Sequence, residues 1–558
     1  MRYLFIPGLL AGFLFFQSCD TKKHGRDGEG TKSLKEFFGF SGEYDDIKVS
    51  DYADFSDSVK WPKELSTFYS LRHYRLAWIA NKAVTRNAKE LLNELRLSCK
   101  EGLSAELYKA AEAEAAVSAL KKAKEGNDSL PRQLARLDLI LTKAYLDYAS
   151  DLLTGRINPE KLDLIWETYP KNLKLSEHLR EALEEKKIAR SLERLKPGYK
   201  QYRLLKDALS RFTSATSQNG LSPAGSIPAL KEEDSGKDVV KLKKILLATG
   251  DLQQADSAYI KAPKFDRQLG RAVKNFQRRH GLKDDGLVSG NTLTEINRPL
   301  EERINQIRIN LDRIRWLPEK LDEKFIIINI PAFSFHYYEK GEPALTMAVV
   351  VGKNEAYTPI LNDSLRSVIF HPAWNVPASI ATREMLPKIK EDTEYLTKNN
   401  YALLKGAYNS KDTIDPEEVD WSEITAEDFP FSIVLPPGKN NPLGKLEFMM
   451  QNQYNIYLHD TPADHLFEQY QRNFSHGCIR LEKPVELAEI LLKGQLSSDS
   501  IRKMLAENKK RSVTLREKIP VHMIYQTAWV DPKGQVQFRN DIYGFDKLSL
   551  PLLREKKQ

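Results

Sequence analysis

The stretch FSHGCIRL, residues 474–481, follows NIYLHDTP, residues 455–462, towards the end of a 558-residue chain. These two stretches place His459 and Cys478 19 positions apart. Residues 454–458 have the composition of a strand, so His459 closes a predicted strand and Cys478 occupies the loop beyond it. We therefore expect a rigid sheet to bring an imidazole and a thiol together.

This pair has the chemistry of a nucleophile. The thiolate is the reactive form of cysteine, and a free cysteine with a pKa of about 8.5 is mostly protonated at neutral pH. A nearby histidine can take the proton, or can stabilise the thiolate as an imidazolium. Gly477 lets the backbone approach a substrate closely, and backbone N–H groups at this turn could bind a developing oxyanion.

Three other interpretations of these residues compete. His459, His465, His476 and Cys478 could be zinc ligands, although no second cysteine accompanies them. Cys478 could be a buried structural residue, which a single His–Cys pair does not exclude. A papain-like protease fits poorly, because the residues around Cys478 lack the local signature of that family.

The region around the motif, residues 301–540, is predicted to be a mainly-β domain. Residues 381–430 interrupt its strands with an acidic and polar segment that contains helical stretches. An insertion of this length in a β domain is often functional, so we predict a helical lid. The candidate strands are residues 325–330, 333–338, 344–351, 367–370 and 454–458, which are rich in Ile, Val, Phe and Tyr.

Residues 236–297 are predicted to form a separate unit of three helices. Apolar residues recur at helical spacing, and turns at residues 280–282 and 285–286 separate the helices. The phrase FQ-x-x-x-G-L-x-x-D-G, which begins at Phe276, resembles the small three-helix peptidoglycan-binding module. A plain three-helix connector is the alternative.

The first part of the chain is predicted to be an export signal, a tether and a helical domain. Residues 1–18 contain an apolar run too short to span a bilayer, and the cysteine that follows, Cys19, resembles the lipidated cysteine of a bacterial lipobox. An ordinary secretory signal with an incidental cysteine is the alternative. Residues 19–34 read as a flexible tether. Residues 35–230 are predicted to be a mainly helical scaffold, with an apolar stripe at Leu141, Tyr145, Tyr148 and Leu152.

Composition excludes several classes of protein. The chain is 41% hydrophobic and 29% charged, so it can build several packed cores. No apolar run reaches the roughly 20 residues of a membrane-spanning helix, and three cysteines cannot form a disulfide framework. The net charge of +8 is mild for this length, so it permits an anionic partner without requiring nucleic acid, and we predict none.

The motif itself resembles a known family. The hexapeptide SHGCIR with an upstream Y-x-H matches the catalytic signature of the L,D-transpeptidase (YkuD domain) family, and the domain order is similar to the YcbB-type subgroup. The resemblance implies a multidomain α+β protein with a helical N-terminal scaffold, a three-helix peptidoglycan-binding module and a mainly-β catalytic domain with a helical lid. Other family-like phrases are Thr358-Pro359, Trp374-Asn375-Val376-Pro377 and Asn441-Pro442-Leu443-Gly444.

The resemblance also implies roles for individual residues. Cys478 would be the acyl-accepting nucleophile and His459 its base, oriented by the backbone carbonyl of Asp460, so that the Asp460 side chain need not matter. Tyr457 and the Cys478 N–H would bind the oxyanion. Arg480 would hold a substrate carboxylate, with a loop brace as the alternative, and Trp374 would line the cleft, with core packing as the alternative. Ser475, His476 and Gly477 complete the signature.

The implied reaction is acyl transfer on peptidoglycan stem peptides. The expected enzyme releases the terminal D-Ala of a tetrapeptide stem, forms a cysteine thioester and makes a 3→3 cross-link, with no metal or organic cofactor, and is acylated by carbapenems. An L,D-carboxypeptidase, an enzyme that anchors proteins to the wall and a non-catalytic wall-binding lipoprotein are the alternatives. We expect a periplasmic, membrane-anchored lipoprotein of a Gram-negative bacterium; the oligomeric state is not predicted.

Overall fold

The structure is a computed structural model that describes residues 47–53, 60–80, 83–122, 128–219, 227–253 and 255–555. The predicted signal peptide, the tether and Cys19 lie outside the described residues. Among the described residues, no helix combines the length and the apolar character that crossing a membrane requires.

The N-terminal domain is helical and packs around one long helix. That helix, α4 (Leu130–Thr154), buries all four residues of the predicted stripe and stops at Gly155, whose φ of +83° suits glycine. All four residues can be buried together because residues three and four apart share one face of a helix. The other elements are α1 (Pro62–Ser70), β1 (Ile79–Ala80), β2 (Ala83–Val84), α2 (Arg86–Arg96), α3 (Ala110–Lys122), α5 (Leu175–Glu184), α6 (Ile188–Arg194) and α7 (Lys200–Asn219).

The second unit contains the three predicted helices and one short additional helix. Its elements are α8 (Lys237–Ala248), α9 (Ser257–Lys261), α10 (Arg267–Arg279) and α11 (Gly290–Ile296). The apolar faces of α8 and α10 meet in one core that includes Leu242, Leu246, Leu269 and Phe276. The unit also contacts the C-terminal part of the chain, since the ring of His280 stacks between Phe276 and Phe538.

The rest of the chain forms a connecting helix and a domain with a nine-stranded sheet. The strand order is β13-β5-β14-β12-β11-β6-β15-β3-β4. The elements are α12 (Leu300–Ile314), β3 (Lys324–Asn329), β4 (Ser334–Glu339), β5 (Glu342–Gly352), β6 (Asn362–Phe370), β7 (Trp374–Asn375), α13 (Ala378–Ile380), α14 (Leu386–Glu391), α15 (Tyr395–Lys398), β8 (Ala402–Lys405), β9 (Thr413–Ile414), β10 (Phe431–Leu435), β11 (Leu446–Met449), β12 (Leu458–His459), β13 (Asn473–Ser475), β14 (Ile479–Leu481), α16 (Pro484–Leu491), α17 (Ser498–Ala506), β15 (Arg511–Ile524), β16 (Ala528–Val530), β17 (Val536–Phe538) and α18 (Phe545–Arg554).

Two predictions about this domain need correction. The strand predicted over residues 454–458 is only the two-residue β12, because the chain turns at Asn455, which has a φ of +54°. The domain also continues beyond residue 540, since Phe545 on α18 belongs to the core of the sheet. Both differences depend on tertiary packing, which the local sequence pattern does not indicate.

The insertion after β6 is not purely helical. It contains α13, α14 and α15, but also a four-stranded antiparallel sheet in the order β7-β10-β8-β9. The helices and this sheet share a core of their own that includes Ile380, Ile389, Leu403, Trp421 and Ile433. The prediction missed the sheet because β8 and β10 pair across a gap of about 25 residues, as in Phe431 opposite Lys405. We call residues 374–435 the lid.

Alternation along the central strands separates an apolar face from a polar face. Val368, Phe448, Leu458 and Ile479 are fully buried in the domain core. Because successive side chains of a strand point to opposite faces, their sequence neighbours point away from that core. The polar face therefore carries the residues of the predicted site.

Candidate active site

Three neighbouring strands place the site residues in one row. β12 pairs in parallel with β14, so His459 lies opposite Arg480, and β11 pairs antiparallel with β12, so Glu447 lies opposite His459. Directly paired residues project from the same face of a sheet. Tyr457 and Cys478 lie immediately before β12 and β14, two positions before His459 and Arg480, and the alternation of these strands extended by one residue puts them on that face.

The Cys478 thiol is half-buried and lies against Tyr457. The backbone N–H and the side-chain hydroxyl of Tyr457 are both within hydrogen-bonding reach of the thiol, and Sγ lies 3.7 Å from the Asn455 carbonyl oxygen. Burial raises the pKa of Cys478 to about 11, although the Tyr457 N–H and the positive charge of Arg480 oppose this shift. The resting nucleophile is therefore a thiol.

The loop before Cys478 is held by a chain of hydrogen bonds. The Ser475 hydroxyl donates to the Cys478 carbonyl at 2.5 Å and accepts from the Gly477 N–H at 3.1 Å. The buried Thr358 hydroxyl donates to the Gly477 carbonyl at 2.7 Å and accepts from the Gly352 N–H at 2.9 Å. Gly477 has a φ of +114°, a conformation that other residues rarely adopt.

His459 is buried and neutral. Its Nδ1 lies 2.6 Å from the Asp460 carbonyl oxygen, which assigns the ring proton to Nδ1 and leaves Nε2 as an acceptor. Burial, together with the positive charge of Arg480, lowers the pKa of His459 to about 3. The Asp460 side chain has a separate structural contact, since its Oδ2 accepts from the Lys445 N–H at 2.7 Å.

His459 ends β12, and Cys478 lies immediately before β14, two residues before the Arg480 that pairs with His459. No hydrogen bond joins His459 to Cys478 within the described residues, and the Tyr457 ring lies 5.9 Å from the His459 ring, centroid to centroid. A neutral imidazole beside a neutral thiol can accept the proton as the sulfur attacks, but does not form a resting ion pair.

Arg480 directs an unpaired guanidinium to this face. Its Nε is buried without a hydrogen-bond partner, and no ion pair to Arg480 occurs in the part of the chain that the structure describes. Burial lowers its pKa, and the nearby Cys478 opposes that shift. A planar guanidinium without a partner suits a carboxylate ligand.

The other two predicted residues face the lid. The half-buried Trp374, on β7, packs against the lid core, with its ring 6.4 Å from that of Tyr401, and no contact joins it to Cys478 in the described residues. His476 Nε2 lies 2.6 Å from Glu384 Oε1 of the lid and 3.0 Å from Lys353 Nζ. His476 therefore links the cysteine loop to the lid.

Sequence reasoning missed Glu447. The only local signal is a charged residue between two apolar ones in β11, which is equally typical of a solvent-facing position. In the structure Glu447 is buried, with 8% of the residue exposed. Burial raises the pKa of Glu447 to about 7, against the opposing charge of Lys510.

Over the described ranges, no group of three His, Cys, Asp or Glu side chains is arranged to hold a metal ion.

Comparison with known proteins identifies three parts of the chain. Family models match a "Scaffold domain" at residues 63–209, a "Putative peptidoglycan binding domain" at 235–296 and an "L,D-transpeptidase catalytic domain" at 323–501. The catalytic match includes every residue of the row described above.

A curated relative from Haemophilus influenzae, named "Putative L,D-transpeptidase", is 36% identical over 249 residues. The match covers 44% of this chain and 49% of the relative, so the chain spans about half the length of the curated protein it matches.

Solved structures resemble the chain only weakly. L,D-transpeptidase 3 from Mycobacterium tuberculosis is 13% identical, with 36% of this chain and 61% of that one covered and a TM-score of 0.18. An L,D-transpeptidase from Stackebrandtia nassauensis is 14% identical, with 54% and 97% covered and a TM-score of 0.21. The domain assignment therefore rests on the family models: the chain carries the YkuD L,D-transpeptidase catalytic domain at residues 323–501, preceded by a scaffold domain and a peptidoglycan-binding domain.

Proposed function

We propose that this protein is an L,D-transpeptidase that forms 3→3 cross-links between peptidoglycan stem peptides through a thioester on Cys478. The observation that supports this most directly is the placement of Cys478 against Tyr457, on the same face as His459 and Arg480, within the matched catalytic domain. A thiol, a neutral imidazole and a hydroxyl donor are groups that acyl transfer to cysteine uses, and a guanidinium can bind a carboxylate of the substrate.

In the first half-reaction Cys478 Sγ attacks the carbonyl carbon between the third residue of the donor stem and its terminal D-Ala. The thiol proton passes to His459 Nε2 during the attack, because both groups are neutral at rest. The Tyr457 hydroxyl donates to the oxyanion. When the tetrahedral intermediate collapses, His459 returns the proton to the departing amine of D-Ala, and the thioester remains.

In the second half-reaction an amine of another stem attacks the thioester carbonyl. The carbon–sulfur bond breaks, its electron pair returns to Sγ and an amide forms. Cross-linking thus competes with hydrolysis of the same thioester. The lid is placed to influence this competition, since it contacts the cysteine loop through Glu384 and His476.

Arg480 is proposed to bind a carboxylate of the donor stem. Its guanidinium has no ion-pair partner among the described residues and carries its charge beside Cys478. We expect Arg480→Lys to raise the KM for the donor by about tenfold, because lysine keeps the charge but not the planar pair of donors. Equal kinetics in Arg480→Lys and the native protein would favour the loop-brace alternative.

The location proposed for this reaction is the periplasmic face of a membrane, with the chain anchored by lipid on Cys19. The support is the sequence pattern of residues 1–19 and the presence of two peptidoglycan-related domains. Labelling with palmitate, and its loss in Cys19→Ala, tests the anchor.

The decisive experiment uses the chain from residue 20 with a disaccharide-tetrapeptide, and reads the products by mass spectrometry. We expect D-Ala release and a cross-linked dimer, both absent in Cys478→Ala. Tripeptide without dimer would indicate an L,D-carboxypeptidase. Binding to purified sacculi without formation of any product would indicate a non-catalytic wall-binding protein. A mass increase on Cys478 after exposure to a carbapenem tests the thiol independently.

A further inference from the structure

Glu447 is a carboxylate on the reactive face to which the proposed mechanism gives no role. It lies directly opposite His459 in the β11–β12 pair, and the residue is buried. Its negative charge raises the pKa of both Cys478 and Tyr457, so the carboxylate lies within electrostatic reach of the reacting sulfur.

This carboxylate has no partner of its own. Within the described residues no hydrogen bond or ion pair reaches the Glu447 side chain, and Lys510 influences it only through its charge. Burial therefore penalises the charged form of Glu447 without a compensating partner, which is the cause of its raised pKa. A cationic ligand would relieve that cost.

The row of side chains is also polarised. Across the sheet it runs from an acidic group, Glu447, through the neutral His459 to the basic Arg480. Neighbouring strands are about 4.8 Å apart, so the two charged ends are separated by about 10 Å. The two ends of the row therefore suit ligands of opposite charge. A carboxylate fits at Arg480 and an ammonium group fits at Glu447.

We propose that Glu447 binds the ammonium group of the incoming acceptor stem beside the thioester and accepts its first proton. This inference rests on the proposed function, which it extends by naming the residue that selects an amine over water.

The ammonium nitrogen gives one proton to the Glu447 carboxylate, and the free amine then attacks the thioester carbonyl carbon. The C–S bond breaks and its electron pair goes to Sγ. The second proton leaves the nitrogen through His459 Nε2 and reaches Sγ, which restores the thiol. Glu447 finally releases its proton to solvent.

The test compares the purified protein with Glu447→Gln, which has the same shape but no charge. Glu486→Gln is the matched control, since Glu486 is an exposed glutamate on α16, whose buried residues pack into the opposite face of the sheet. Each protein receives the disaccharide-tetrapeptide, and D-Ala, tripeptide and dimer are quantified over time. We expect Glu447→Gln to lower the dimer-to-tripeptide ratio at least tenfold, and Glu486→Gln to match the native ratio.

A second measurement separates acceptor binding from a structural effect. Hydroxylamine is a neutral nucleophile at pH 7.5 and needs no anionic site, whereas the stem amine arrives as a cation. We expect Glu447→Gln to lose cross-linking but to keep hydroxylamine cleavage of the thioester, with Glu447→Asp intermediate in cross-linking.

Two results would overturn the inference: an unchanged dimer-to-tripeptide ratio, or an equal loss with both nucleophiles. Failure of the native protein to release D-Ala would instead contradict the proposed function.

Discussion

The resting charge of Cys478 follows from its surroundings rather than from its type. Burial favours the neutral thiol, and the same burial favours the neutral imidazole of His459. The pKa of Cys478 is about 11 and that of His459 about 3, so at neutral pH neither group is charged. Thiolate formation is thereby coupled to substrate attack, which limits unproductive reactions of the sulfur.

This predicts an unusual pH dependence of alkylation. Below its pKa the thiolate fraction grows about tenfold per pH unit, so the rate of Cys478 modification by iodoacetamide should rise from pH 7 to pH 10 without a plateau. Peptide mapping of residues 474–481 by mass spectrometry gives the rate. Arg480→Gln should lower it further, because the Arg480 charge favours the thiolate. A plateau at about pH 8.5 would show an unperturbed thiol.

Substitution of Thr358, which does not take part in the reaction, should lower the free energy of unfolding. Thr358→Val keeps the shape but leaves the buried Gly352 N–H and Gly477 carbonyl without their partner. An unsatisfied buried group costs about 1–3 kcal/mol, so we expect a loss of at least about 2 kcal/mol in urea unfolding and slower acylation. Thr358→Ser keeps the hydroxyl and serves as the control. Equal stability of the two variants would argue against this tether.

Glu384 of the lid contacts side chains at the edge of the catalytic sheet. Glu384, in the helical turn Ala381–Met385, accepts from His476 on the cysteine loop, and Lys353 at the end of β5 lies 3.5 Å from the same carboxylate. The hydrogen bond from His476, with the charge of Lys353, holds the pKa of Glu384 below its usual range. The carboxylate thus stays charged in mild acid.

Removal of this contact should loosen the lid. A partly exposed ion pair contributes up to about 1 kcal/mol after solvent screening, which is about fivefold in an opening equilibrium. We expect Glu384→Gln to speed hydrogen exchange of residues 381–391 by up to about fivefold. Glu394→Gln, which breaks an exposed pair between the residue before α15 and Lys398, is the control and should leave these amides unchanged. Unchanged exchange in Glu384→Gln would show that apolar packing alone holds the lid.

A buried carboxylate on the connecting helix α12 contacts the N-terminal domain. Asp312 on α12 accepts from the backbone N–H groups of Arg156 and Ile157 at 2.9 and 2.8 Å, and from the Arg315 guanidinium at 2.8 Å. Both side chains of the Asp312–Arg315 pair are completely buried. The pair couples the position of the N-terminal domain to the catalytic half of the chain.

Asp312→Asn should therefore destabilise the protein strongly. Loss of one partner of a buried ion pair costs about 3–5 kcal/mol, because the other charge stays buried without compensation. Calorimetry and urea unfolding measure the loss. Asp284→Asn removes an exposed pair with Arg278 and should change the free energy of unfolding by less than about 0.5 kcal/mol. A similar small change in Asp312→Asn would contradict the coupling.

Much of the architecture was predictable because its signals are local. The stripe on α4 repeats with the period of a helix, and Phe325 and Phe335 lie within runs of strand composition that became β3 and β4. The roles proposed for Cys478 and His459 come from two contiguous motifs. These roles stay predictions, but the sheet does place both residues on one face.

The sequence therefore determined the elements and the candidate chemistry, while the tertiary structure alone decided their neighbours. Glu447 became part of the site only through its register opposite His459, and Glu384 only through a lid that folds back over 90 positions onto His476. The sheet in the lid arises in the same way, from Ala402 pairing with Val434. Strand register and long-range contacts depend on how all the apolar faces pack together, which no short window of residues contains.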